Sequence, residues 1–202
     1  MEAGPGSGKT RALVARYLES ASSSRRGIAL LSFTNAAVDE VRRRSGSSVH
    51  VLRPPHFVGT IDSFLHRFIV TPSEVSRLRR LPSYRQSWDD LPADTSMLRI
   101  AGLPGIGVPL SGFRLDQSGE VLLSESGLGW PSVQYLKEVA EAGRLDQLLN
   151  RARSLIRGLN RVGVYDSNTA RVKAYQLLDG RQGDVIQNRI TTRFEEILID
   201  EG

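Results

Sequence analysis

Two short stretches far apart in the chain carry residue types suited to phosphate chemistry. The first is "AGPGSGKT", residues 3–10. Gly4, Gly6 and Gly8 permit backbone torsions and close approaches that a Cβ would block, so amide N–H groups can converge on an anion where a helix begins. Pro5 and Ser7 separate these glycines, Lys9 adds a point charge for the outer phosphates, and Thr10 offers a hydroxyl that magnesium accepts. Ala3 stands where the first glycine of such a loop often stands, so the match is to the relaxed form of the motif. The competing reading is a glycine-rich turn capping an ordinary helix; Gly8, Lys9 and Thr10 in register, with an amphipathic segment directly behind, favour the phosphate loop. The second stretch is "ILIDE", residues 197–201, where an apolar run of buried-strand character delivers Asp200 and Glu201 to its tip. Asp200 is there the carboxylate expected to hold magnesium beside Thr10, and Glu201 the one expected to polarise an attacking water. An acidic pair alone is commonly a solvated strand end, and its weight comes from the loop upstream. A separation of 190 residues between Thr10 and Asp200 is long for a small-molecule kinase and suits a motor with a large insertion.

Such residues need elements to position them. Behind the loop, Arg11 to Glu19 places Leu13, Val14, Tyr17 and Leu18 at helical spacing, and "IALLSF" (Ile28–Phe33) is a continuous apolar run of the kind buried in a parallel sheet. "TNAAVDEVRRR" follows as a second helix, with Asn35 expected as its N-cap, Ala37, Val38 and Val41 facing inward, and Arg42, Arg43 and Arg44 at the end where cations suit the dipole. "VHVLRP" and "FVGT" are expected as short strands and "IDSFLHRFIV" as a third helix. Alternating strands and helices argue for an α/β fold with a parallel sheet. From Thr71 to about Gly129 the chain is rich in Pro, Gly and Ser, with a β-hairpin expected in "FRLDQSGEVLLS"; from Ser132 to about Phe194 it becomes helical. The expected organisation is a core over 1–70, a mostly helical inserted subdomain over 71–189, and a return to the core over 190–202.

Composition narrows the classes. The 202 residues are 40% apolar and 24% charged, none is cysteine, and no apolar stretch approaches the roughly 20 residues of a membrane helix. The expectation is a cytoplasmic protein with no membrane partner. A net charge of +5 admits an anionic partner such as nucleic acid, although Lys occurs only at 9, 137 and 173, and an arginine skew of that kind also follows from GC-rich codons.

"AGPGSGKTR", "LLSFTNAAVDEVRRR", "VGTIDSFLHRF" and "RFEEILIDE" stand in the order, and at about the distances, of motifs I, Ia, Ib and the start of motif II of UvrD/Rep-like superfamily 1 DNA helicases, which this chain resembles. The resemblance implies a P-loop RecA-like parallel sheet flanked by helices and interrupted by a helical subdomain. It implies an enzyme that couples ATP hydrolysis, with Mg2+, to 3′-to-5′ movement on single-stranded DNA, as in DNA repair. Carried over by position, Ala3 to Thr10 hold the phosphates, Arg11 approaches the adenine or ribose, Thr10 and Asp200 hold magnesium, and Lys9 and Glu201 are catalytic. Phe33, Thr34 and Asn35, then Thr60, Ser63 and Phe64, match DNA-facing segments, where hydroxyls and amides meet phosphates and an aromatic face stacks a base. Core packing is the alternative for Phe33 and Phe64.

The chain departs from the family pattern at Ala36, where Lys is common, and at Asp62, where His is common; Asp62 is equally suited to cap a helix. His50, His56 and His66 show no metal spacing. The Arg runs at 42–44 and 77–80 read first as solvated helix faces. Only Met1 and Glu2 precede the loop, and the acidic pair stands at the other end, so a fragment is expected, with a second RecA-like domain supplied in cis or in trans. Two alternatives stay open: a non-catalytic nucleotide or DNA-binding module completed by a partner chain, and a P-loop ATPase of another kind.

Overall fold

The computed structural model describes residues 9–46 and 49–200. In chain order its elements are α1 (Lys9–Ser23), β1 (Gly27–Ser32), α2 (Asn35–Ser45), β2 (Phe57–Thr60), α3 (Ile61–Leu65), α4 (Thr71–Leu78), β3 (Ser83–Tyr84), α5 (Ala93–Ser96), β4 (Met97–Leu98) and β5 (Val108–Pro109). The hairpin strands β6 (Phe113–Leu115) and β7 (Val121–Leu123) follow, then α6 (Trp130–Glu141), α7 (Leu145–Arg161), β8 (Val164–Tyr165), α8 (Ser167–Asp179), α9 (Gly183–Arg193) and β9 (Phe194–Asp200). The chain divides into two compact units, Met1–Ile69 with Leu177–Gly202, and Val70–Gln176. Helix α9, through which the expected boundary at 189 runs, groups with the first unit.

In the first unit β1 is the middle of a three-stranded parallel sheet in the order β2-β1-β9. All six of its residues are buried, as a strand paired on both edges and covered on both faces requires. Ile28 and Leu30 pack with Val14 and Tyr17 of α1, Val41 of α2 and Leu198 of β9; Ala29 and Leu31 face the opposite cluster of Phe57, Phe64 and Phe194. Burying side chains of this size contributes about 1.5–3 kcal/mol each. At the sheet entrance the register with β9 shifts between Gly27 and Ile28. That irregularity turns Phe194 onto the aromatic face while Glu196, Leu198 and Asp200 alternate toward α1. Gly27 has no space for a side chain: a Cβ would stand 2.6 Å from Pro55 O, 2.8 Å from Phe194 Cδ1 and 2.9 Å from Arg193 O.

Three local expectations change. Val49–Leu52 is a 3-10 turn and not a strand. Pro54 and Pro55 follow after Arg53 and cannot donate to a ladder, while Val51 is fully buried and its carbonyl accepts from Tyr17 Oη. Asn35 is the first helical residue of α2, so it does not stand outside the helix as a cap. Val38 and Val41 are buried as expected; the Ala37 side chain lies outside what the structure describes. The third helix is α3 continued by a π-helical turn, His66–Val70, into α4. Thr60 is the N-cap of α3, accepting from Ser63 N at 3.2 Å, and Asp62 sits in the first turn.

The second unit has its own core, built around Trp88, Ile100, Leu110, Phe113, Tyr135, Leu148 and Ile156. Its hairpin forms as the sequence predicts, β6 antiparallel to β7, with Gly119 at φ +85° in the turn. Asn168 of α8 fastens the hairpin by accepting from Leu115 N at 2.7 Å and donating to Leu115 O at 3.1 Å.

His56 supports the sheet in one protonation state only. Its buried Nδ1 accepts from Ile28 N at 3.1 Å, and burial, with His50 adding to it, holds its pKa below the usual histidine range. The unfolded chain therefore binds a proton that the folded one resists, so this contribution is complete above about pH 6.5 and is lost as pH falls through the folded value. His56→Leu should cost about 1–3 kcal/mol at pH 8 by stranding the Ile28 N–H, and should flatten the loss of stability between pH 8 and 5.5; urea melts at the two pH values measure both.

Candidate nucleotide site at the sheet edge

Helix α1 runs antiparallel to β9, and every inward residue of β9 beyond the register shift meets it. Glu196 pairs with Arg16 and accepts from Ser20 Oγ at 3.1 Å, Leu198 enters the core with Val14 and Tyr17, and Asp200 accepts from Thr10 Oγ1, whose distances to its two carboxylate oxygens are 3.2 and 3.3 Å. This arrangement carries the first turn of α1 to the carboxyl ends of the parallel strands, the edge where open α/β sheets bind ligands. The first turn of a helix presents unpaired N–H groups and the positive end of the dipole, and α1 has no acidic residue there to neutralise it.

The same edge holds a row of oxygen side chains. Ser32 is in register with Thr60 on one side and Asp200 on the other, and all three share the face of β1 that carries Leu30. Ser32 is fully buried and its Oγ accepts from Thr34 N at 3.2 Å, which fixes the exit of the chain from β1. Ser32 is a positioning residue that the sequence reading passes over, since a serine at the end of an apolar run carries no signal of its own. Asp200 is 6% exposed and Thr10 is half-buried, so a hydroxyl and a carboxylate converge in a sheltered place. These are hard oxygen donors. They fit magnesium, which keeps several waters and substrate oxygens and takes only one or two protein ligands. No group of three or more His, Cys, Asp or Glu suited to a metal occurs among the described residues.

Of the other predicted site residues, Lys9 opens α1 and Arg11 is exposed in its first turn; Ala3, Gly4, Pro5, Gly6, Ser7, Gly8 and Glu201 lie outside the described residues. Phe33, Thr34 and Asn35 are exposed where β1 ends, with Phe33 at 62%, so core packing does not account for Phe33. Phe64 is the reverse. It is 5% exposed, with ring centroids of Phe57, Phe68 and Phe194 at 5.7, 4.9 and 5.6 Å, and its faces are taken by the core, which corrects its assignment as a base-stacking residue. Thr60 and Ser63 are half-buried and bonded to each other in the cap of α3, Ser63 Oγ donating to Thr60 O at 2.7 Å. The three arginines of α2 pair with Asp39 and Glu40 on their own helix, as a solvated face does.

Residues 1–101 match the family model of the UvrD/REP helicase N-terminal domain, which is half of the chain. The chain belongs to that family of helicases. No curated protein matches it. No helix among the described residues is long and apolar enough to cross a membrane.

The two phenylalanines give opposite expectations. Phe64→Ala should lower folding stability by about 3–5 kcal/mol, whereas Phe33→Ala should stay within about 0.5 kcal/mol of the parent in the same urea titration.

Proposed function

We propose that this chain is the ATP-binding part of a UvrD-like DNA helicase, with residues 1–70 and 190–202 as a P-loop RecA-like core and 71–189 as its inserted subdomain. The observation that carries the reading is the contact between Thr10 and Asp200: two residues picked out for magnesium by chemical type, 190 positions apart, meet at the carboxyl edge of a parallel sheet. On this reading residues 3–10 wrap the phosphates of ATP, Lys9 neutralises their charge, and Arg11 lies on the adenine or ribose side. Thr10 and Asp200 hold Mg2+, whose chemistry when bound is to offset charge on the phosphate oxygens. The Thr10 hydroxyl already commits its proton to Asp200, which leaves a lone pair for a cation. Glu201 accepts the proton of the attacking water.

Single-stranded DNA fits the exposed Phe33-Thr34-Asn35 segment, where a ring stacks a base of any identity and polar side chains reach phosphates. Thr60 and Ser63 contribute by shaping the neighbouring loop. Rapid hydrolysis and 3′-to-5′ movement, as in cytoplasmic DNA repair, need a second RecA-like domain in cis or in trans, because that domain supplies the closing cleft and an arginine to the transition state. Alone, the chain binds nucleotide and turns it over slowly.

Titration with a fluorescent ATP analogue tests this. Binding should require Mg2+, and Lys9→Ala should weaken it about 10–100-fold, the worth of a charged hydrogen bond. A saturating thymidine oligomer should change the affinity by about 5-fold or more. Affinity retained in Lys9→Ala would place the nucleotide elsewhere, and affinity indifferent to DNA would identify a P-loop ATPase of another kind.

A further inference from the structure

The second unit contains a cavity of about 250 Å3 at the ends of α4 and α7, walled by α8. Three cations line it: Arg77 of α4, Arg161 of α7 and Lys173 of α8. The carboxylate that belongs to this cluster, Glu74, is not in the wall. Its side chain is 2% exposed, and it binds Arg77 Nε at 3.0 Å through Oε2 and Lys173 Nζ at 3.4 Å through Oε1. The negative charge thus lies behind the two cations and holds them in place, while the wall itself is positive. Arg77 also donates to Arg161 O at 3.0 Å and Asn160 O at 3.1 Å. Those are carbonyls from the end of α7, the negative pole of that helix, which would otherwise repel an anion here.

Two neutral amides complete the wall. Gln176 lines it from α8, and Asn160 does so with an Oδ1 that is buried and has no hydrogen-bond partner among the described residues. An amide turned about its last torsion exchanges oxygen for nitrogen, so Asn160 supplies two N–H donors if an acceptor is present. Cations from three helices and amides from two of them, converging from different directions, suit a tetrahedral anion with several oxygens better than a planar carboxylate. The volume accommodates such an anion with one small attached group, beside Leu115 and Val172.

The geometry points to this cavity as a binding site for a phosphoryl group, held by Arg161 and Lys173 with Asn160 and Gln176 as neutral donors, and with Glu74 and Arg77 as the fixed frame. The site lies wholly within the second unit and does not depend on the nucleotide reading of the first.

The test is an amide-resolved NMR titration of the whole chain carrying Lys9→Ala, which silences the phosphate loop, with inorganic phosphate against chloride at constant ionic strength. Saturable shifts are expected at Arg161, Lys173 and Gln176 with phosphate only, weakened about tenfold by Arg161→Ala and by Gln176→Ala, neither of which removes a contact of the core. Repeating the titration with a methyl phosphomonoester and with a short abasic phosphodiester distinguishes the sources. Tighter binding of the monoester identifies a small phosphorylated ligand, and tighter binding of the diester identifies a nucleic-acid backbone. Shifts that never saturate, that chloride reproduces, or that both variants leave unchanged overturn the site.

Discussion

Everything at the candidate site depends on one helix lying antiparallel along one strand. Because α1 and β9 run in opposite directions, the helix N-terminus and the strand C-terminus must arrive at the same edge, and three successive inward residues of β9 enforce that alignment. Glu196 holds Arg16 and Ser20, Leu198 fills the core, and Asp200 meets Thr10. The apolar contact supplies most of the stability and the polar contacts at either end set the register, since sliding the helix by one turn would strand a carboxylate at each. The exposed Arg16–Glu196 pair adds little by itself. Its value lies in direction.

Strand β1 makes this alignment possible by being paired on both sides. Its burial on both faces leaves only its carboxyl end free to present anything, and what it presents is a sheltered serine followed by three exposed residues. The sheet therefore sorts its edge into an inner layer of oxygen donors, Thr60, Ser32 and Asp200, and an outer segment, Phe33 to Asn35. β9 is less enclosed: Ile197 and Ile199 face away from α1 and remain 39% and 52% exposed, so the strand alternates where the apolar run in the sequence reads as buried throughout.

The legible parts of the fold were those in which local pattern and tertiary role coincide. "IALLS" can only be a buried strand, Val14 and Tyr17 mark the inner face of α1, and the Gln117-Ser118-Gly119 turn makes a hairpin. Residue type alone singled out Thr10 and Asp200, and the fold brings those two side chains into contact. Other features depended on neighbours far along the chain. "VHVL" has strand propensity, but the two prolines behind it and the pull of Tyr17 on Val51 O make it a turn. Phe33 and Phe64 are equivalent as letters, and only the positions of Phe57, Phe68 and Phe194 decide which ring is free. The positive cavity of the second unit is invisible in the sequence, as Arg77, Arg161 and Lys173 are brought together from three helices.

The order of the elements also has a consequence for how the protein is made. The second unit, with its own core, lies between the two parts of the first, so during synthesis it emerges complete while β9 is still being added. Throughout that interval β1, paired with β2 on one side, stands without the strand that covers its other edge, and an apolar strand with an open edge invites pairing with another chain. The nascent first unit is thus the part that needs shelter on the ribosome. Thr10 is synthesised before the second unit and Asp200, the carboxylate it meets, after it.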